Sequence, residues 1–100
     1  MLLVLAEAKL GEGTLETARA AFEPMITASR AEDGCISYAY AQDVLDPSVL
    51  HITEKWQDEE ALATHFATPH MAEFQEALGQ LDVTITELAK YQTDGGQPLR

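Results

Sequence analysis

The chain has 100 residues, enough for one domain with a single hydrophobic core but too few for two. Its 46% hydrophobic and 23% charged residues are typical of a globular protein and exclude a disordered chain. The formal net charge of −11 counts against nucleic acid and anionic membranes as partners, because both bind basic surfaces.

The chain contains one cysteine, Cys35, so neither an intrachain disulfide nor a cysteine-based zinc site is expected. The apolar start of the chain carries no basic segment and is interrupted by Glu7, unlike a signal peptide or a transmembrane span. These features predict a soluble, cytoplasmic protein.

Residues 2–10 alternate as a β-strand, with apolar side chains on both faces in the first half. Thr14 is a candidate N-cap for a helix that Pro24 should kink and that Gly34 should end in a left-handed cap. Helical spacing gives this helix one predominantly apolar stripe. The stripe consists of Leu15, Ala18, Phe22, Met25, Ile26 and Ser29.

Two further strands are predicted at residues 35–43 and 49–56, joined by a turn at 46–48. Tyr38 and Tyr40, on the first of these strands, are expected to fill a barrel interior or a subunit interface.

A helix then begins after the N-cap Asp58, and Thr68-Pro69 starts a second helix, since threonine caps and proline suits the first helical position. Leu62 and Phe66 are expected on one face, with His65 beside them. The second helix presents Met71, Phe74 and Leu78 on one face, and residues 82–91 predict a last strand.

The element order is strand, helix, strand, strand, helix, strand. Right-handed crossovers make this an α+β fold with a four-stranded antiparallel sheet and helices on one face. Residues 1–92 form one predicted domain, and residues 93–100 form a polar tail that we expect to be flexible. The uncovered sheet face carries apolar side chains, so a homodimer stacked through that face is predicted.

The strand that ends at Trp56 and the broken helix after it hold the candidate site. Trp56 stands beside His65 and His70, although a lone tryptophan on an inward strand position is more often a core residue. Glu54 shares the inward parity, where desolvation would raise its pKa and suit it to act as a general base for phenol deprotonation. The alternative is that Glu54 reaches solvent or pairs with a cation.

Metal binding is not expected. His65 and His70 are five residues apart, which does not match the spacing of a helical metal-binding pair. A third ligand would have to come from the sheet, from His51 or Glu54, which have opposite parity.

The chain also lacks a phosphate-binding glycine loop and a dinucleotide fingerprint, so no cofactor is predicted. A small apolar pocket with few polar groups suits a flat aromatic ligand.

Several short motifs together resemble the antibiotic biosynthesis monooxygenase family over residues 1–91. They are Gly34-Cys35-Ile36-Ser37-Tyr38, Glu54-Lys55-Trp56, Glu60-Ala61-Leu62, His65 and Pro69-His70-Met71. The resemblance implies a ferredoxin-like βαββαβ fold that dimerises into an α+β barrel. It also implies either a cofactor-independent oxygenase that converts phenols or quinols to quinones, or a related haem-degrading enzyme.

By this resemblance, Trp56 corresponds to a pocket tryptophan, His65 and His70 to the histidines of the helix motif, and Glu54 to a motif glutamate. The chain departs from the family in containing no asparagine. Ile52 stands where the oxygenases carry one. Haem degraders carry an asparagine near Ala6 and a tryptophan near His65, which counts against haem degradation.

These observations predict a cofactor-independent monooxygenase acting on a small phenol or quinol with dioxygen. His65 or Glu54 would deprotonate the substrate and Trp56 would line the site, with Trp56 and Phe66 stacking on the substrate ring. The binding residues are predicted to be Ile52, Phe66, His70 and Phe74. The alternatives are a non-catalytic dimeric module that binds a small aromatic molecule and, third, a haem-binding protein.

Overall fold

The structure is a computed structural model that describes residues 1–100. It has four strands and three helices. In chain order they are β1 (Leu2–Leu10), α1 (Thr14–Arg30), β2 (Cys35–Gln42), β3 (Val49–Trp56), α2 (Glu59–Phe66), α3 (Pro69–Leu78) and β4 (Val83–Gln92). Residues 93–100 lie outside these elements.

The four strands form one antiparallel sheet in the order β2-β3-β1-β4. Leu2 pairs with Trp56 in β3 and with Gln92 in β4, so β1 lies between β3 and β4. This arrangement confirms the predicted α+β, ferredoxin-like fold with a four-stranded antiparallel sheet.

The helices cover one face of the sheet, and the inward side chains of β1 and β3 alternate with exposed or half-exposed ones. The predicted α1 stripe is correct, since Ala18, Phe22, Met25 and Ser29 are all buried. Two buried clusters result. One contains Leu2, Val4, Met25, Tyr38, Trp56, Leu62 and Met71, and the other Ala6, Ala8, Leu10, Ala18, Phe22, Leu50 and Ile52.

Two predictions about the ends of α1 are wrong. The N-cap is Gly13, whose φ of 74° suits glycine, and no side chain caps the helix, so Thr14 is its first residue rather than its cap. Gly34 does not adopt a left-handed conformation. Its missing side chain instead allows a close approach, because a Cβ at Gly34 would collide with the Cβ of Ala61 in α2.

The predicted caps of α2 and α3 are correct. The Asp58 carboxylate accepts a hydrogen bond from Ala61 N at 2.8 Å, and the Thr68 hydroxyl accepts one from Met71 N at 3.2 Å. The predicted face of α2 is wrong at one position. Leu62 and His65 are buried, but Phe66 remains 57% exposed.

The sheet face away from the helices is open in the single chain. It carries Leu5, Glu7, His51 and Tyr91, of which Leu5 is 37% and Tyr91 46% exposed. No helix in the fold is both long enough and apolar enough to cross a bilayer.

The contact between Gly34 and Ala61 generates a stability prediction. Gly34→Ala should lower the free energy of unfolding by about 1–3 kcal/mol, because the added methyl overpacks the turn against α2. Adding Ala61→Gly should restore much of this loss by removing the colliding Cβ. Urea denaturation of both variants measures the effect.

Gly79→Ala is the matched control, since Gly79 has helical torsion angles and room for a methyl group. It should be neutral or slightly stabilising. Equal losses at Gly34 and Gly79 would contradict the packing argument.

Candidate functional site

The centre of the site is a carboxylate shared by two histidines. Glu32 lies in the turn after α1, His65 in α2 and His70 in α3. Oε2 of Glu32 lies 2.6 Å from Nδ1 of His65 and 2.8 Å from Nε2 of His70. One acidic oxygen therefore holds the helix α2 and the helix α3 against the end of α1.

The break between α2 and α3 makes this arrangement possible. On a continuous helix, residues five apart point about 140° away from each other. Thr68 redirects the chain, because its hydroxyl donates to the carbonyl oxygen of His65 at 2.7 Å and caps α3. Pro69 then occupies the first turn of α3. Both imidazoles can consequently face Glu32.

The bond to Glu32 determines the tautomer of His65. An ionised carboxylate can only accept, so Nδ1 carries the proton and Nε2 of the neutral ring keeps a lone pair. Nε2 is buried and has no hydrogen-bond partner in the protein, and the His65 side chain is 1% exposed. A basic nitrogen without a partner therefore lies inside the fold.

Trp56 and Glu54 lie next to this imidazole. The ring centroids of Trp56 and His65 are 4.5 Å apart, and Trp56 Nε1 donates to Oε1 of Glu54 at 2.9 Å. Burial raises the pKa of Glu54, and its bond from Trp56 and the nearby His65 oppose that rise. The carboxyl group does not reach an exposed cation.

Tyr38 and Tyr40 also belong to the site, and their predicted position in a barrel interior or interface is wrong. Both point to the helix side of β2, and their hydroxyls are 3.0 Å apart. Burial raises the pKa of Tyr40 to about 12 and that of Tyr38 still further above its usual value. Both phenols remain neutral hydrogen-bonding groups at physiological pH.

The predicted site residues fall into two groups. Glu54, Trp56, His65 and His70 come together as expected, and Tyr38 and Glu32 complete the group. Ile52 lies in the other buried cluster, and Phe74 packs against both clusters. The exposed Phe66 contacts the site from its edge, with its ring centroid 5.7 Å from that of His65.

His51 lies far from this group in the fold. It is on the open sheet face, where Nε2 is 2.8 Å from Asp43 and Nδ1 is 3.6 Å from Glu7. The third group that the histidines share is thus Glu32, which sequence analysis did not consider. The only signal for Glu32 was its position two residues before Gly34, the residue that starts one of the motifs that carried the resemblance.

The space around Trp56 is filled by side chains, since Trp56 is 0% exposed and the His65 ring packs against it at an interplanar angle of 39°. A cavity that includes two predicted site residues, His70 and Phe74, lies between α1 and α3. Its volume is about 180 Å³, and its lining includes Met25, His70 and Phe74. Met25 also packs in the buried cluster that contains Trp56, so this side chain is shared by the cavity and the site.

The comparison with protein families bears directly on this arrangement. Residues 1–77, which include β1 to α3, match the model of the family described as antibiotic biosynthesis monooxygenase. The chain belongs to the antibiotic biosynthesis monooxygenase family. The resemblance found in the sequence is therefore confirmed, while the quinol-oxidising subtype remains a prediction.

Two proteins are similar to this chain in sequence. A protein of Mycobacterium tuberculosis, Rv0793, provisionally named a monooxygenase, is 36% identical over 74 residues, which cover 71% of this chain and 72% of the relative. The protein sll1783 of Synechocystis is 34% identical over 76 residues, but the match spans only 52% of its length and 71% of this chain.

Solved structures extend the comparison to the whole chain. A Deinococcus radiodurans protein, provisionally assigned to the same monooxygenases, superposes with a TM-score of 0.90 and 26% identity, covering 100% of this chain and 99% of its own. The structure of Rv0793 gives a TM-score of 0.78 and 28% identity over 95% of this chain and 98% of its own. The names of Rv0793 and of the Deinococcus radiodurans protein both refer to monooxygenases.

The buried carboxyl group of Glu54 generates a pH prediction. Its folded pKa is raised, so its contribution to stability is present below the ordinary carboxyl pKa and is lost as pH rises through the folded value. Glu54→Gln stays neutral and keeps an acceptor for Trp56 Nε1. At pH 7 the variant should be more stable than the wild type by about 1 kcal/mol, the scale typical of a buried polar group.

At pH 4 the difference should shrink, and urea denaturation at both pH values measures it. Glu76→Gln is the control, because it makes the same substitution at an exposed position, and it should change the stability by less than Glu54→Gln at pH 7. A Glu54→Gln variant that is less stable by the same amount at both pH values would contradict the desolvation argument.

Proposed function

We propose that the chain is a cofactor-independent monooxygenase that oxidises a small phenol or quinol to a quinone. The observation that supports this most is the unpartnered, buried Nε2 of His65, whose ring is oriented by Glu32 at Nδ1. A base held by a carboxylate in this way is the arrangement that general base catalysis uses.

His65 is better suited than Glu54 to take the substrate proton. Oε1 of Glu54 already accepts from Trp56, whereas Nε2 of His65 has an unused lone pair. When Nε2 accepts a proton, the positive imidazolium lies against the Glu32 carboxylate, which stabilises it. Glu54 contributes a second negative charge close to the same ring.

The chemistry balances without an external reductant. A deprotonated phenol gives one electron to dioxygen, and the resulting phenoxyl radical and superoxide combine at the para carbon to form a peroxide anion. This anion takes back the proton that His65 had accepted and becomes a hydroperoxide. The O–O bond then breaks, and the outer hydroxyl group leaves as water together with the hydrogen of this carbon. The oxygen that remains on the carbon becomes the second carbonyl of the quinone. One oxygen atom enters the ring and the other leaves as water. A quinol with an unsubstituted ring carbon reacts in the same way at that carbon: one oxygen atom enters the ring, the other leaves as water, and the product is a hydroxyquinone.

Substrate would enter through the cavity between α1 and α3. A cavity of about 150 Å³ admits a benzene-sized ring, and this one is about 180 Å³. His70 and Phe74 in its lining would contact the substrate. A rotamer change of the flexible Met25 side chain would connect the cavity to Trp56 and His65. Trp56 would then stack on the substrate ring.

The proposal is tested by oxygen uptake with menadiol and a set of monocyclic phenols. His65→Gln should reduce turnover by about 10²- to 10⁴-fold, the usual contribution of a general base. Glu32→Gln should reduce it less, because Glu32 positions His65 but does not itself accept the substrate proton. Quinone absorbance gives a second readout.

Glu76→Gln is the control, because Glu76 is exposed and lies outside both the site and the cavity lining, and it should retain wild-type uptake. Rates must be corrected for the spontaneous oxidation of menadiol in air. Wild-type uptake equal to that of His65→Gln would rule out His65 as the base, and uptake equal to the buffer blank would rule out the activity.

One observation favours a second candidate, a non-catalytic module that binds a small aromatic molecule. Trp56 and His65 are both buried and pack against each other, so in this conformation they are core residues. A binding module would show an increase in Tm with phenols but no oxygen uptake.

We also propose that the chain acts as a homodimer through its open sheet face. Leu5 and Tyr91 leave apolar surface there, and the helices already cover the other face. Two-fold pairing of identical faces is the commonest way to bury such a surface.

Leu5→Lys should therefore weaken the dimer at least tenfold, because it places a charge in the centre of the paired faces. Sedimentation equilibrium measures this change. Leu88→Lys is the control, since Leu88 is exposed on the helix side of β4. A wild type that sediments as a monomer, or an unchanged Leu5→Lys dimer, would contradict the proposed interface.

A further inference from the structure

We propose that Oε2 of Glu32, Nδ1 of His65 and Nε2 of His70 form a binding site for a divalent transition-metal ion. The three donor atoms come from three separate segments and all lie within 4.8 Å of one another. This inference does not rest on the proposed oxidation, because the metal would bind Nδ1 of His65, whereas the proposed base is Nε2.

The donor positions require only a small adjustment to surround an ion. Zinc binds histidine nitrogen at about 2.0–2.1 Å and carboxylate oxygen at about 2.0–2.2 Å, so neighbouring donors around it stand roughly 3.3 Å apart. Both nitrogens already lie 2.6–2.8 Å from Oε2. Rotation of the His70 ring and a small shift of the Glu32 side chain would open the central space.

Glu32 also has unused capacity to bind a cation. Its side-chain partners are His65 and His70, and the ion pairs of lysine and arginine in the fold involve other carboxylates. The second oxygen, Oε1, is buried and has no hydrogen-bond partner. A buried acceptor without a donor is costly, and a metal ion bound to both oxygens would satisfy it.

The site can be reached from solvent. The side chains of Glu32 and His70 are 13% and 22% exposed. An adjoining surface cavity of about 430 Å³ is rich in carboxylates and hydroxyls, which attract cations. Its polar lining consists of Glu32, Asp33, Gln57, Asp58, Glu60, Thr64 and Thr68.

The donor set determines the class of metal. Two imidazoles and one carboxylate suit Zn²⁺, Co²⁺, Fe²⁺ or Ni²⁺, whereas Mg²⁺ and Ca²⁺ favour oxygen ligands. With three protein ligands, at least one coordination position remains for water or another small ligand.

Metal binding would also change what His65 can do. An ion on Nδ1 displaces the proton from that nitrogen, so the neutral ring carries its proton on Nε2. Nε2 would then be a donor and could no longer accept a proton from a substrate. A bound metal ion and a basic His65 are consequently alternative states of one imidazole.

Titration of the full chain, without a histidine tag and treated with chelator, tests the site. Co²⁺ should give the visible absorption of a low-coordinate complex at one ion per chain, and Zn²⁺ should displace it. His70→Gln and Glu32→Gln should each weaken Zn²⁺ binding more than tenfold in calorimetry. His51→Gln should leave the affinity unchanged, because His51 lies on the other sheet face.

Circular dichroism and Tm establish that each variant is folded. His70 is partly exposed, so His70→Gln keeps the test decisive even where Glu32→Gln fails to fold. Zn²⁺ should raise the Tm of the wild type and not that of His70→Gln. Absence of a Co²⁺ spectrum, or affinity that depends on His51 rather than His70, would overturn the proposal and leave Glu32 as a hydrogen-bond acceptor only.

Discussion

The Glu32 carboxylate, which accepts from two imidazoles, is the interaction on which the arrangement of the helices depends. Through side chains it joins the turn after α1 to α2 and to α3. Charge-assisted hydrogen bonds of this kind are roughly twice as strong as neutral ones. The same carboxylate orients His65, so the packing of the helices and the chemistry of the site have a common origin.

Most of the fold could be predicted because each element carries its own local signal. The period of two in β1 and the stripe of α1 reflect burial of one face, and Asp58 and Thr68 are caps with a defined geometry. The errors arose where the signal was not local. Gly34 was interpreted as a left-handed cap, but the reason for a glycine there is the approach of Ala61, 27 positions later in the sequence.

The candidate site was predictable only in part. Strand parity places Glu54 and Trp56 on the inward face, and their neighbours His65 and His70 follow within the same stretch. Parity alone did not decide whether Tyr38 and Tyr40 face the helices or the open side of the sheet. Glu32 had no periodic signal because it lies in a turn and reaches the histidines only after the chain has folded. Phe66 was misplaced because a short helix can turn either of two adjacent side chains inward.

The junction at Thr68 and Pro69 has a consequence for how this chain can evolve. His65 lies in α2 and His70 in α3. Whether both imidazoles reach Glu32 therefore depends on the number of residues in the link between the helices as well as on which residues they are. Inserting or deleting a single residue there would turn α3 by about 100° and shift it by about 1.5 Å. Changes of length in this link should therefore be rejected by selection.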